Sequence, residues 1–134
     1  MGAERPSARR ILIADDAASS RELLRTILER QGYEVMEAAD GEQAVDKAAN
    51  FAPDLIILDL QMPKLDGYST AIALRKMPAF AKIPILALAA ALPEVSPEQM
   101  TEAGFTECLV KPISPTSLRE CVTELLYWSH TPKH

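Results

Sequence analysis

No stretch of this chain reaches the run of about 18 apolar residues that a membrane-crossing helix needs, so no membrane span is expected. The opening residues Met1-Gly2-Ala3-Glu4-Arg5-Pro6-Ser7 lack the apolar core of a secretory signal, and Pro6 stands where a myristoylation signal requires Ser or Thr. Cysteine is scarce. Cys108 and Cys121 are the only two, without the paired spacing of a zinc or redox motif, and both read as small buried hydrophobes. Basic residues form no stripe, and a net charge of -5 works against holding a phosphate backbone by bulk attraction. Internal repeats and low-complexity tracts are also missing. These absences point to a cytoplasmic protein that binds neither nucleic acid nor membrane. At 134 residues there is room for one domain, burying roughly 65–70% of the surface its unfolded chain exposes, and none for a second.

What is present is organised around Pro53-Asp54-Leu55-Ile56-Ile57-Leu58-Asp59-Leu60-Gln61-Met62-Pro63-Lys64-Leu65-Asp66-Gly67. An unbroken apolar run between two prolines suits a strand buried on both faces, as at the centre of a parallel sheet. It ends in Asp59. A carboxylate is costly to bury unpaired, so this residue must reach solvent at the strand's carboxyl end or meet a cation there.

Along the chain, residues 1–8 read as a flexible lead-in and 129–134 as a polar tail. Arg10-Ile11-Leu12-Ile13-Ala14 is a second apolar strand, running into Asp15-Asp16. Ser19-Ser20-Arg21-Glu22 has the form of a capping box, with Leu23, Leu24, Ile27 and Leu28 on one helical face and Gly32 as the stop. Residues Tyr33 to Glu37 alternate and suit an edge strand. Asp40 caps a second helix, ended before Pro53, and Asp66 caps a third, reaching about Met77 before Pro78. Residues 83–90 form the fourth apolar run. Ser96-Pro97-Glu98-Gln99 opens a short helix to Ala103, Glu107 to Val110 is the fifth strand, and Leu118, Cys121, Val122, Leu125 and Leu126 line the last helix. Five strands alternating with five helices predict an α/β fold, doubly wound, with a parallel sheet covered on both faces. Ligands in such folds bind outside the carboxyl ends of the strands, where Asp15, Asp16, Asp59 and Lys111 all fall.

Three converging carboxylates repel one another, and a hard divalent cation such as Mg2+, bound through oxygen, relieves that repulsion. With the Lys111 ammonium nearby, one carboxylate could attack a phosphoryl group and become an aspartyl phosphate. The plainer alternative is a set of solvated strand-end charges.

In their order and spacing, Ile11-Leu12-Ile13-Ala14-Asp15-Asp16, Asp40-Gly41, Pro53 through Asp59, Met62-Pro63, Asp66-Gly67, Pro84-Ile85, Ala103-Gly104 and Lys111-Pro112 resemble the receiver domain of two-component response regulators, of the chemotaxis-regulator type. The resemblance covers about residues 9–128. It implies the flavodoxin-like strand order 2-1-3-4-5. It further implies Asp59 as phosphoacceptor, Lys111 as phosphoryl contact, and Asp15, Asp16, Asp59 and the Gln61 backbone carbonyl as Mg2+ ligands. The implied partner is a histidine kinase or histidine phosphotransfer protein. A receiver is not a turnover enzyme, although it can catalyse its own phosphorylation and dephosphorylation.

Two positions depart from the family, and both belong to its switch. Where receivers usually carry Thr or Ser at the end of the fourth strand this chain has Ala89, and where they usually carry Tyr or Phe three residues before the Lys it has Cys108. The resemblance therefore admits a second function, a pseudo-receiver that binds a protein partner independently of phosphorylation. A haloacid-dehalogenase-like phosphatase, a third class, wants an Asp-x-Asp motif, which the adjacent Asp15-Asp16 does not supply. His130 and His134 lie in the tail without the helical bundle that presents a phosphodonor histidine.

Overall fold

The computed structural model describes residues 9–62, 64–90 and 96–128; the lead-in, Pro63, residues 91–95 and the tail with its two histidines lie outside the described residues. The chain runs β1 (Arg10–Ala14), α1 (Ala18–Glu29), β2 (Glu34–Ala38), α2 (Gly41–Phe51), β3 (Leu55–Asp59), α3 (Gly67–Arg75), a 3-10 turn (Pro78–Phe80), β4 (Ile85–Ala89), α4 (Pro97–Ala103), β5 (Glu107–Val110) and α5 (Pro115–Trp128). The five strands form one sheet of order β2-β1-β3-β4-β5, and every pairing is parallel. This is the flavodoxin-like order that the resemblance implied.

Alternation along the strands divides the core in two. Ile11, Ile13, Leu55, Ile57, Leu86 and Leu88 face Leu24, Leu28, Leu118, Val122 and Leu126 of α1 and α5. Leu12, Ala14, Ile56, Leu58 and Ile85 face Ala44, Ala48, Ala71 and Leu74 of α2 and α3. β3 and β4 are buried at every position, whereas β2 and β5 are only partly covered, as befits edge strands. β5's place at the edge also corrects one expectation: Cys108 is half-exposed and only Cys121 is buried. Burial pushes the Cys121 thiol up to about 11 and, with the Glu107 charge, raises that of Cys108, so both stay protonated near neutrality.

The helix caps follow the sequence in three places and depart from it in one. Asp40, Asp66 and Ser96 each accept from the backbone N–H three residues on. α1 instead starts at Ala18, with Ala17 at the cap and no side-chain capping bond. Ser19 therefore sits inside the helix, because the Asp15 carboxylate closes the preceding turn by accepting from the Ala17 N–H at 2.9 Å. α3 stops at Arg75, short of Met77. The Arg75 guanidinium turns back to donate to the carbonyls of Gly104, Phe80 and Ile83, tying α3 to the end of α4 and the start of β4.

Gly67 sets how closely α3 approaches β3. A Cβ there would lie 2.5 Å from the Asp59 carbonyl oxygen and 2.7 Å from Leu60 Cα, backbone atoms that cannot turn aside. We expect Gly67→Ala to cost about 1–3 kcal/mol. The measurement is urea denaturation, with a lower midpoint at unchanged slope; a parental midpoint would mean that α3 can step back freely.

Candidate functional site

β1 and β3 are neighbours, so their carboxyl ends place Asp15, Asp16 and Asp59 side by side, and the end of β5 brings in Lys111 across β4. They line a cleft of about 810 Å³ together with Leu60, Gln61, Met62, Asp66, Tyr68 and Ala90. The sequence-predicted acids and the lysine are thus gathered at one place.

Asp59 is almost wholly buried, and both its oxygens are engaged. Oδ1 accepts from the Gln61 N–H at 3.0 Å and Oδ2 from Lys111 Nζ at 3.0 Å. Of the two outcomes expected for Asp59, solvent or a cation, the structure gives the cation, Lys111. Asp15 is fully buried; Oδ1 accepts from Ala17, while Oδ2 has no hydrogen-bond partner and stands 3.7 Å from Lys111 Nζ, too far for a hydrogen bond. Asp16 is exposed. One oxygen from each of the three acids can nevertheless be chosen so that all lie within 4.8 Å of one another.

The electrostatics follow from this crowding. Burial pushes the Asp15 carboxyl above its ordinary value, the Ala17 N–H pulls it back, and the charges of Asp59 and Lys111 act in opposite senses. Burial works against the Lys111 charge, but the hydrogen bond to Asp59 and the charges of Asp15 and Asp59 outweigh it, raising the ammonium above its ordinary value. Among the described residues, one cation, Lys111, stands with Asp15, Asp16 and Asp59, which leaves this group negative, and the buried Asp15 Oδ2 accepts no hydrogen bond. That donor set, all oxygen and partly solvated, fits Mg2+.

The two departures also meet. Ala89 is fully buried in a small cluster with Leu60, Ala87 and Met100, and Cys108 packs against it beside Tyr68 and Phe105. The Ala89 carbonyl accepts from the Lys111 N–H at 2.8 Å, but its side chain brings no donor to the cleft.

Sequence reasoning missed Arg21. From α1 its Nη1 donates to the Asp15 carbonyl at 2.7 Å and its Nε to Glu37 Oε1 at 2.9 Å, while Glu37 Oε2 accepts from Arg25 Nη1 at 3.0 Å. Burial alone would raise the Glu37 carboxyl; Arg25 and Arg21 hold it below its ordinary value instead. Arg21 carried no sequence signal, since one of its partners is a backbone carbonyl and the other lies on β2, 16 residues further along the chain.

Comparison with known proteins gives a consistent picture. The family model described as the response regulator receiver domain matches residues 11–123. A probable transcriptional regulator, ycf27, of Porphyridium aerugineum is 43% identical over 119 residues, covering 87% of this chain and 48% of that protein. The chain spans about half the length of the curated relatives it matches first. Among solved structures, the chemotaxis protein CheY4 of Vibrio cholerae superposes with a TM-score of 0.83 at 34% identity, covering 89% of this chain and 99% of that one. The receiver domain of sensor histidine kinase PA1611 from Pseudomonas aeruginosa, described with a magnesium ion coordinated in its active-site cleft, gives 0.83 at 30% identity, covering 90% and 99%.

Proposed function

The chain belongs to the response regulator receiver domain family, and from that premise we propose that residues 9–128 form a receiver that accepts a phosphoryl group on Asp59. The observation that carries this reading is the cleft itself: a buried carboxylate at the end of the central strand, bonded to Lys111 and flanked by Asp15 and Asp16. In the step we assign, an Asp59 oxygen forms a bond to phosphorus as the bond to the donor breaks, and the donor departs with that electron pair. The Gln61 N–H holds the Asp59 carboxylate in one orientation, which limits the motion lost on the way to reaction. The Lys111 ammonium, already raised toward the charged form, meets the negative charge of the arriving phosphoryl oxygens. Asp15, Asp16, Asp59 and the Gln61 carbonyl would hold Mg2+, which when bound supplies positive charge to the phosphoryl oxygens. The domain would catalyse its own phosphorylation and dephosphorylation.

The donor we assign is a histidine kinase or histidine phosphotransfer protein in the cytoplasm, and the output is a contact with another protein, not with nucleic acid or membrane. Among the described residues no helix is long and apolar enough to cross a membrane.

Metal uptake offers a direct check. Mg2+ relieves repulsion among the three acids only in the folded chain, so about tenfold excess over its Kd should add about 1.4 kcal/mol to unfolding. Thermal or urea denaturation with and without Mg2+ measures this. Asp16→Ala should flatten the response; a variant as Mg2+-responsive as the parent would put the metal elsewhere.

The second reading, a binding module indifferent to phosphorylation, is favoured by Ala89 and Cys108. Intact mass after an acyl-phosphate donor and Mg2+ separates the two.

A further inference from the structure

We propose that Arg21 is a positioning residue for the acidic cleft: by clamping the Asp15 carbonyl to Glu37, it fixes the peptide that joins Asp15 to Asp16 and so aims the Asp16 carboxylate. This rests on the reading of the cleft as a Mg2+ site. Asp16 is exposed, and its carboxylate remains near the other two only while its backbone is held.

Asp15 is gripped at three points. Its N–H donates to the Ala38 carbonyl at 3.1 Å and its side chain accepts from Ala17, and both contacts fix Asp15 itself. Among the described residues, the contact to the Asp15 carbonyl comes from Arg21, and that carbonyl belongs to the planar unit ending at the Asp16 Cα. A peptide plane whose oxygen is held cannot swing about its ends. The guanidinium is suited to this because its planar fork engages carbonyl and carboxylate together. Glu37 refers the clamp to the sheet, as its backbone is part of β2. The Arg21 and Glu37 side chains are only 17% and 25% exposed, so solvent competes little for these bonds.

The sign of the effect distinguishes this role from a charge effect. Removing a cation near three acids should, by Coulomb attraction alone, tighten Mg2+ binding; removing a clamp should weaken it. Loss of groups that orient metal ligands commonly weakens affinity 10–100-fold.

The test is calorimetric titration of the whole chain with Mg2+ alone, comparing the parent with Arg21→Met, Arg21→Lys and Arg25→Met. We expect Arg21→Met to weaken Mg2+ about tenfold, within the range for such groups. Arg21→Lys, which keeps a donor for the carbonyl but loses the fork, should recover part of that loss. Arg25→Met loses its bonds to Glu29 and Glu37 but touches nothing on Asp15, and should bind as the parent does. In the metal-free protein, hydrogen exchange at the Ala17 amide should quicken in Arg21→Met and not in Arg25→Met. Equal or tighter Mg2+ binding by Arg21→Met overturns the inference, as does equal weakening by Arg25→Met. If Arg21→Met does not fold, Glu37→Gln loosens the same anchor at constant side-chain length, and parental affinity there overturns it too. A folded parent that takes up no Mg2+ removes the reading of the cleft and this inference with it.

Discussion

Asp59→Asn should abolish the mass adduct that acetyl phosphate with Mg2+ is expected to leave on the parent chain, an all-or-none effect at nearly constant shape. The amide has no anionic oxygen with which to attack phosphorus, and the neighbouring acids are poor substitutes. Asp15 is fully buried with one oxygen on the Ala17 N–H, and Asp16 is exposed, without the two-sided hold on Asp59 by Lys111 and Gln61. The Asn oxygen can still accept from Lys111, so the variant should fold and the comparison is fair. Intact mass is the readout. An adduct surviving in Asp59→Asn would move the phosphoacceptor to another acid, and a folded parent without an adduct would favour the binding-module reading.

A phosphoryl mimic such as beryllofluoride, added with Mg2+, should shift the amide resonances around Asp59, Ala89 and Lys111 while leaving α4, β5 and α5 nearly unmoved. A ligand shifts an equilibrium only by its differential affinity for the two states. A hydrogen bond to a charged group contributes about 1.5–3 kcal/mol, comparable with the 1–3 kcal/mol of a typical coupling between sites. Ala89 can make no such bond. Cys108, packed on the same cluster, is too small to act as a ring that turns inward or outward. The double change Ala89→Thr and Cys108→Tyr should carry the response across the face of α4, β5 and α5. Large shifts over that face in the parent would mean that another group carries the coupling.

Much of this could be read from residue order. The apolar runs that end in Asp15 and Asp59 announced strands buried on both faces, and Lys111 at the end of a third strand announced the cation. Capping by Asp40, Asp66 and Ser96 was legible because each cap is local, a side chain answering an N–H three residues away. The first helix misled because its turn is closed from behind by Asp15, whose carboxylate is doing a cap's work from outside the usual motif. Arg21 and Arg75 were invisible for a related reason. Their main partners are carbonyls, which every residue possesses, and only the folded chain selects which ones they meet.

Arg75 also divides the molecule by its response to ionic strength. Among the described residues its half-buried guanidinium donates to uncharged carbonyls alone, so where it ties α3 to α4 no opposite charge stands there for salt to screen. Across the sheet, Arg25 with Glu29 and Arg10 with Glu34 are solvent-exposed ion pairs, which weaken as the screening length falls from about 10 Å at 0.1 M to about 3 Å at 1 M. Concentrated salt should therefore weaken these surface pairs, by at most about 1 kcal/mol each, and leave the α3–α4 joint as tight as before.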